Sequence, residues 1–293
     1  MAIILDGKEV ASILNNELKN KIENTCKELR KPHLAVILVG DDVGSQSYVR
    51  GKEKACNEVG IKNTTFKFSS NATTQQLLNL LFELNNDDSV DGILVQLPLP
   101  KHIDQKLVLD SILPNKDVDC FSSLNTANVY KGDYDFPLLP CTPKGIIALL
   151  DHYNIPIEGK NAVVIGRSNI VGLPVAKLLL DRNATVTICH SKTINLKEIT
   201  SQADILIAAV GKPLFVTADM VKEKAVVIDV GINRDKTTNK LCGDVDFENV
   251  KDKTSYITKV PGGIGPMTIC SLLWNTYLLY MHNMEKLTSN LEA

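Results

Sequence analysis

The sequence predicts an α/β protein of two domains built on mostly parallel sheets, and three observations predict it. Over the first half, apolar helical stripes alternate with short apolar runs of strand length, the pattern of parallel strands joined by crossover helices. In the second half a buried-looking strand, Ala162 to Ile165, runs into a tight polar turn and straight on into a helix. A chain of 293 residues, 44% of them hydrophobic, can also fill two cores.

The elements follow in order. Val10, Ile13, Leu14, Leu18, Ile22, Cys26 and Leu29 recur at helical spacing and form one stripe. The segment 33–40 reads as a strand, about Ser45 to Val59 as a helix closed by Gly60, and 64–68 as a second strand. A helix through 75–84 precedes a third strand at 91–100, which stops near Gln96 because Pro98 and Pro100 cannot continue a central ladder. Residues 115–141 lack periodicity and read as a long loop, and loops of that length in a domain are commonly functional. Thr142 and Pro143 have the pattern of an N-cap and a first helical residue, opening a helix through Tyr153. The domain boundary is placed there, with residues 1–145 in one domain and 146–267 in the other. Beyond the nucleotide-type turn, strands are expected at 184–190, 204–211 and 225–231. A final helix over 268–293, apolar on several faces, is long enough to pack back onto the first domain. There is no repeat of fixed period and no low-complexity tract.

Composition narrows the function classes. Thirty-two Lys+Arg against 34 Asp+Glu leave a net charge of -2, which argues against nucleic acid or an anionic membrane as the main partner. No segment approaches the ~20 apolar residues that span a bilayer. The apolar run at the N-terminus is too short for a signal peptide and carries no arginine-rich transit character, so a cytoplasmic protein is expected. The seven cysteines are scattered and never form a C-x-x-C pair; they read as reduced thiols, mostly small core residues, with no metal site.

Two groups of polar residues carry chemistry. In the second half, Gly166 and Gly172 flank a turn that brings the main chain close to a phosphate, with the positive end of a helix behind it. Ser168 stands where the middle glycine of a dinucleotide fingerprint would be, so the turn alone is an imperfect match. The next strand ends at His190 and Ser191, where an NAD-selective site usually carries an acid for the ribose. None is present, and Arg167, His190, Ser191 and Lys192 can surround a 2′-phosphate, so NADP is the expected cofactor. The bland reading makes Arg167 and Lys192 solvated surface charges. In the first half, Tyr48 and Lys52 lie four residues apart on one helical face, Gln96 sits at a strand mouth, and Asp119 lies in the long loop. Ligands of open parallel sheets bind beyond the carboxyl ends of the strands. Each of these residues also has a bland role, as a solvated charge or a backbone partner.

Ordered blocks sharpen that reading: S-Y-V-R-G-K (47–52), D-G-I-L-V-Q-L-P-L-P (91–100), K-D-V-D (116–119) and P-C-T-P-K-G (140–145). They continue with G-R-S-N-I-V-G-L-P (166–174), C-H-S-K-T (189–193), D-V-G-I-N (229–233) and P-G-G-I-G-P-M-T (261–268). Through nearly its whole length the sequence resembles the methylenetetrahydrofolate dehydrogenase/methenyltetrahydrofolate cyclohydrolase family. The resemblance implies a catalytic α/β domain and a Rossmann-like NADP-binding domain with a cleft between them. It implies Lys52 as the catalytic lysine, Tyr48 packing on the folate ring and orienting that lysine, and Gln96 hydrogen-bonding near it. Asp119 would grip the pterin edge, and Pro261, Gly262 and Gly263 would close the folate cleft from the other domain. Gly166, Arg167, Ser168, His190, Ser191 and Ile232 would line the NADP site. A homodimer formed through the nucleotide-binding domain is also implied.

The implied reaction suits these residue types. A hydride leaves the one-carbon bridge of methylenetetrahydrofolate, the folate nitrogens stabilise the methenyl cation, and the protein mainly positions two rings. Water then attacks the cation to give 10-formyltetrahydrofolate, and proton shuttling helps a ring nitrogen leave. A lysine amine can shuttle when nearby positive charge lowers its pKa from the ordinary ~10.4. The rivals are a dehydrogenase lacking the hydrolytic step and a non-catalytic NADP-binding protein of the same fold. An enzyme of shikimate-like substrates shares the G-R-S turn but does not explain Tyr48, Lys52, Gln96 and the 261–268 block together. Two departures from the family pattern stand out: Cys120 and Ala127 occupy positions where glycine is usual. If residue 120 needs a positive φ, cysteine is strained there by ~1 kcal/mol or more; otherwise the loop has shifted and moved Asp119.

Overall fold

In the computed structural model, the residues described are 2–27, 29–132, 138–235 and 240–291, without the side chains of Val43 and 286–291. Residues 133–137 of the expected loop and 292–293 of the expected last helix lie outside them. In chain order the first elements are β1 (Ile3–Leu5), α1 (Gly7–Thr25), β2 (His33–Val39), α2 (Val43–Val59), β3 (Lys62–Phe68), α3 (Thr74–Asn85) and β4 (Gly92–Val95). Helices α4 (Gln105–Asp110), α5 (Ser123–Lys131) and α6 (Cys141–His152) follow. The remainder is β5 (Asn161–Ile165), α7 (Gly172–Asp181), β6 (Thr185–Cys189), α8 (Leu196–Thr200), β7 (Ile205–Ala208) and β8 (Val226–Asp229). Then come β9 (Asn233–Arg234), β10 (Leu241–Cys242), α9 (Phe247–Val250), β11 (Tyr256–Thr258) and α10 (Ile264–Leu291). The chain divides into one unit of residues 13–141 with 269–293 and another of residues 1–12 with 142–268.

The first unit is organised by β2. Its side chains alternate between two apolar layers: Leu34, Val36 and Leu38 join one cluster, and Ala35, Ile37 and Val39 the other. A strand buried on both faces needs an unbroken apolar run, which is what 34–39 supplies. It pairs parallel with β3 on one side and β4 on the other, in the order β3-β2-β4. Leu272, Leu273 and Tyr280 of α10 complete the first cluster, while Leu77 and Leu81 of α3 build the second. Each such fully buried aliphatic side chain contributes roughly 1.5–3 kcal/mol. Asp42 caps α2 by accepting from the Ser45 N–H at 2.7 Å, and Gly60 ends it in the left-handed conformation.

The second unit carries a six-stranded parallel sheet in the order β1-β11-β8-β7-β5-β6. From β5 the chain adds β6 on one side and β7 and β8 on the other, so the order reverses at the carboxyl ends of β5 and β7. Crevices at such switch points are where open α/β sheets bind ligands. Residues 1–12, placed by sequence with the first half, count with this sheet because β1 pairs with β11.

Other departures have local causes. The expected loop 115–141 contains α5, whose buried residues are only Asn125 and Val129, so it has no apolar stripe. Its boundaries were nonetheless written: Ser122 caps it and Gly132 ends it at a φ of 70°. Helix α6 starts at Cys141, so Thr142 is inside the first turn and not its cap; the Thr142 hydroxyl pairs with that of Thr268 at 3.0 Å. Helix α10 starts earlier than expected, at Ile264, with Pro266 in its first turn, where a missing N–H costs nothing. Among the described residues no helix is long and apolar enough to cross a membrane.

Candidate functional site

In the first unit, Lys52 and Gln96 meet just past the carboxyl end of β4. Lys52, on the third turn of α2, is 7% exposed, and its Nζ donates to Gln96 Oε1 at 2.9 Å. Gln96 is held at both ends: its backbone N–H bonds Ile37 O at 2.9 Å, and its side-chain amide donates to Leu97 O at 2.7 Å. That second bond points the acceptor oxygen toward the lysine, and a buried ammonium needs such a partner. Tyr48, one turn before Lys52, is half-buried, and burial raises its phenol above the ordinary value.

Asp119 arrives by a different route. The segment 116–119 runs beside β4, with a parallel bridge between Ile93 and Asp117 and an Ile93 N–H bond to Lys116 O at 2.6 Å. Gly92 makes room for it, since a Cβ there would lie 2.3 Å from Val118 Cγ1. Burial pushes the Asp119 carboxyl above the usual carboxylate range, while the Lys52 charge and a hydrogen bond from Cys141 pull it back. Sequence reasoning missed two supports of this segment. Buried Asp117 accepts from the N–H groups of Ser122 (2.8 Å) and Phe121 (3.2 Å) and from Asn125 Nδ2 (3.1 Å). Asn275 Nδ2, on α10, donates to Val118 O and Leu139 O, each at 2.8 Å. Asp117 was visible inside the K-D-V-D block; a single asparagine in an apolar helix gave no signal.

The two departures from the family pattern now separate. Cys120 sits at a φ of 59°, so the turn keeps its left-handed residue and the cysteine bears the strain of roughly 1 kcal/mol. Its buried thiol donates to Leu138 O at 3.5 Å. Ala127 lies inside α5, where alanine is better than glycine by about 1 kcal/mol.

In the second unit, the turn after β5 is built for close approach. Gly166 has a φ of 126°, and a Cβ there would lie 2.2 Å from Ala209 O; one on Gly172 would lie 2.4 Å from Gly166 O. Ser168, in place of a middle glycine, accepts at Oγ from the N–H groups of Val171 (3.2 Å) and Gly172 (3.3 Å), closing the turn onto α7. Arg167 and Ser168 are exposed at this turn. At the end of β6, His190 Nδ1 accepts from the Lys192 N–H at 3.2 Å, which leaves Nε2 as the ring's donor when neutral. Ser191 and Ile232 are exposed, Ser191 just past β6 and Ile232 just past β8. Pro261, Gly262 and Gly263 link β11 to α10 in this same unit, with Gly262 O accepting from the Lys8 N–H at 3.0 Å. A Cβ on Gly7 would lie 1.8 Å from Gly263 O, so this segment packs against the start of α1.

The residues present fit an NADP-type ligand on structural grounds: two glycines whose Cβ positions are already occupied, a ten-residue helix starting at the turn, and no carboxylate at the end of β6. Comparison with known proteins agrees in both units. Residues 5–119 match the tetrahydrofolate dehydrogenase/cyclohydrolase catalytic domain, and residues 140–284 match the NAD(P)-binding domain of the same enzymes. A Campylobacter concisus protein named bifunctional protein FolD is 56% identical over 283 residues, covering 97% of this chain and 99% of its own. The crystal structure of the bifunctional FolD enzyme, methylenetetrahydrofolate dehydrogenase/cyclohydrolase, from Campylobacter jejuni is 50% identical, with a TM-score of 0.93 over 96% of this chain and 99% of that one. A Trypanosoma brucei FolD, solved with NADP cofactor and inhibitor, is 36% identical, with a TM-score of 0.92 over 97% of this chain and 98% of that one. The chain belongs to the tetrahydrofolate dehydrogenase/cyclohydrolase family.

Proposed function

We propose that this protein oxidises 5,10-methylenetetrahydrofolate to the 5,10-methenyl form with NADP and then hydrolyses it to 10-formyltetrahydrofolate. The observation that carries both steps is the buried Lys52 ammonium held by Gln96, with Asp119 close enough to feel its charge. A dehydrogenase alone has little use for a fixed buried amine, because the folate nitrogens already stabilise the cation; hydrolysis needs a proton carrier.

In this reading Asp119 accepts the two N–H groups of the pterin's amidine-like edge, a charge-assisted contact of roughly 1.5–3 kcal/mol. Tyr48 lays its ring against the folate and limits the positions open to Lys52. Gln96 keeps the amine aimed at the one-carbon unit, so that Lys52 can move a proton to the departing nitrogen. NADP, when bound, supplies the hydride acceptor. The Gly166 turn, with Ser168 in it, brings the main chain close to its phosphates with the positive end of α7 behind it, Arg167, His190 and Ser191 face the 2′-phosphate, and Ile232 flanks the nucleotide. Pro261, Gly262 and Gly263 close over the folate. The working form is a homodimer in the cytoplasm, with neither nucleic acid nor membrane as partner; sedimentation of the purified protein at twice the chain mass supports the dimer, and a monomer at all concentrations refutes it.

The test is a paired absorbance assay of methylenetetrahydrofolate with NADP and then NAD, following NADPH and methenyltetrahydrofolate separately. NADP reduction with little methenyl build-up, and hydrolysis of added methenyltetrahydrofolate, is expected. Methenyl accumulation without hydrolysis would reduce the protein to a dehydrogenase.

A further inference from the structure

Two carboxylates of the second unit, Asp229 and Asp244, have no part in the reading above, yet both are buried beside the edge it uses. Asp244 Oδ2 accepts from the backbone N–H groups of Val210 (2.6 Å) and Gly211 (2.9 Å). Its Oδ1 accepts from the Lys212 N–H and from Asn233 Nδ2, each at 2.8 Å. Three consecutive N–H groups after β7 and a side chain from β9 therefore converge on one carboxylate, which is saturated by them. Asp229 in turn anchors Asp244: its Oδ1 takes the N–H groups of Gly231 and Asp244, and its Oδ2 that of Val245, all at 2.9 Å.

The neighbouring glycines let the carboxylates pack directly against the backbone. A Cβ on Gly231 would lie 2.3 Å from Asp244 Oδ1, and one on Gly243 would lie 1.8 Å from Asp229 Oδ2. The segment that Asp244 holds is also the wall of the phosphate turn, because Ala209 O is the atom that excludes a side chain from Gly166. On the other side, Ile232 lies between Gly231 and Asn233, one packed on Asp244 and the other bonded to it.

We infer that Asp244 is a positioning residue for the cofactor, one carboxylate that sets the turn after β7 and the 231–233 segment together. This rests on reading the carboxyl edge of the sheet as the NADP site. It carries a consequence for binding: the N–H groups of Val210, Gly211 and Lys212 are committed to Asp244, so the cofactor's phosphates depend on residues 167–170 of the Gly166 turn.

Asp244→Asn keeps the side chain's shape but sets an amide donor against two of the four donors. The expected result is an NADP dissociation constant and KM raised tenfold or more, with the KM for folate and the NADP-free hydrolysis of methenyltetrahydrofolate within twofold of wild type. Because that variant can fail to fold, Asn233→Ala removes only the side-chain arm and should raise the KM for NADP several-fold with hydrolysis unchanged. NADP binding within twofold of wild type in the folded variants overturns the inference alone, as does a parallel loss of both activities. Failure of the wild-type protein to bind NADP overturns the reading of the edge, and the inference with it.

Discussion

Gly166 and Cys120 both occupy positive-φ positions beside groups assigned to ligands, and they differ in what a side chain meets there. At Gly166 the φ of 126° lies outside the basin open to L-residues, and a Cβ would stand 2.2 Å from Ala209 O. At Cys120 the φ of 59° lies inside the left-handed basin, and the thiol has a buried place with Leu138 O as acceptor. Positive φ alone therefore does not make glycine obligatory. Close approach of another backbone does, and in this protein that approach marks the turn given to the cofactor.

Substitutions can break or sharpen that contrast. Gly166→Ala meets both strain and clash, and should weaken NADP binding by roughly five- to 150-fold, about the 1–3 kcal/mol that such strain costs; binding within threefold would show that the turn yields. Gly92→Ala tests approach without φ, since a Cβ there would meet Val118 Cγ1 at 2.3 Å. It should cost about 1–3 kcal/mol of stability by overpacking and raise the KM for folate by displacing Asp119, both readable by denaturant titration and steady-state kinetics. An unchanged folate KM would detach Asp119 from β4.

Asp119 itself gives a pH test. Burial raises its carboxyl, with Lys52 opposing, so it gains a proton at higher pH than an ordinary carboxylate as the solution is acidified. If the ionised form grips the pterin, the KM for folate rises as pH falls, beginning above the usual carboxylate range near ~3.9. Asp119→Asn should show a higher KM at neutral pH and no such rise. The smallest effect belongs to Cys120→Gly. It relieves roughly 1 kcal/mol of strain, but it empties the thiol's buried place and frees the unfolded chain, so stability should move by less than about 1 kcal/mol. Folate KM should not move at all, and a tenfold change would make the cysteine part of the pterin site.

Much of this was legible in the sequence, and what was not has physical reasons. The unbroken apolar run 34–39 announced a doubly buried strand, and the four-residue step from Tyr48 to Lys52 put two groups on one helical face. The proline after Leu97 marked where β4 ends, leaving Gln96 free to meet Lys52. Helix α5 was missed because it buries an asparagine and a valine and no stripe. Strand β1 was missed because three residues carry no period, and its pairing with β11 spans nearly the whole chain. Asn275 and Asp244 escaped for a related reason: each is one polar residue whose partners lie far away in sequence, so only the folded geometry shows what it holds.

The most direct measurement of the central claim is hydrolysis of methenyltetrahydrofolate by Lys52→Met, with NADP binding measured on the same preparation. The lysine assignment predicts that hydrolysis falls to the uncatalysed rate while NADP binds as in wild type. Hydrolysis at the wild-type rate by a folded, NADP-binding variant would contradict it.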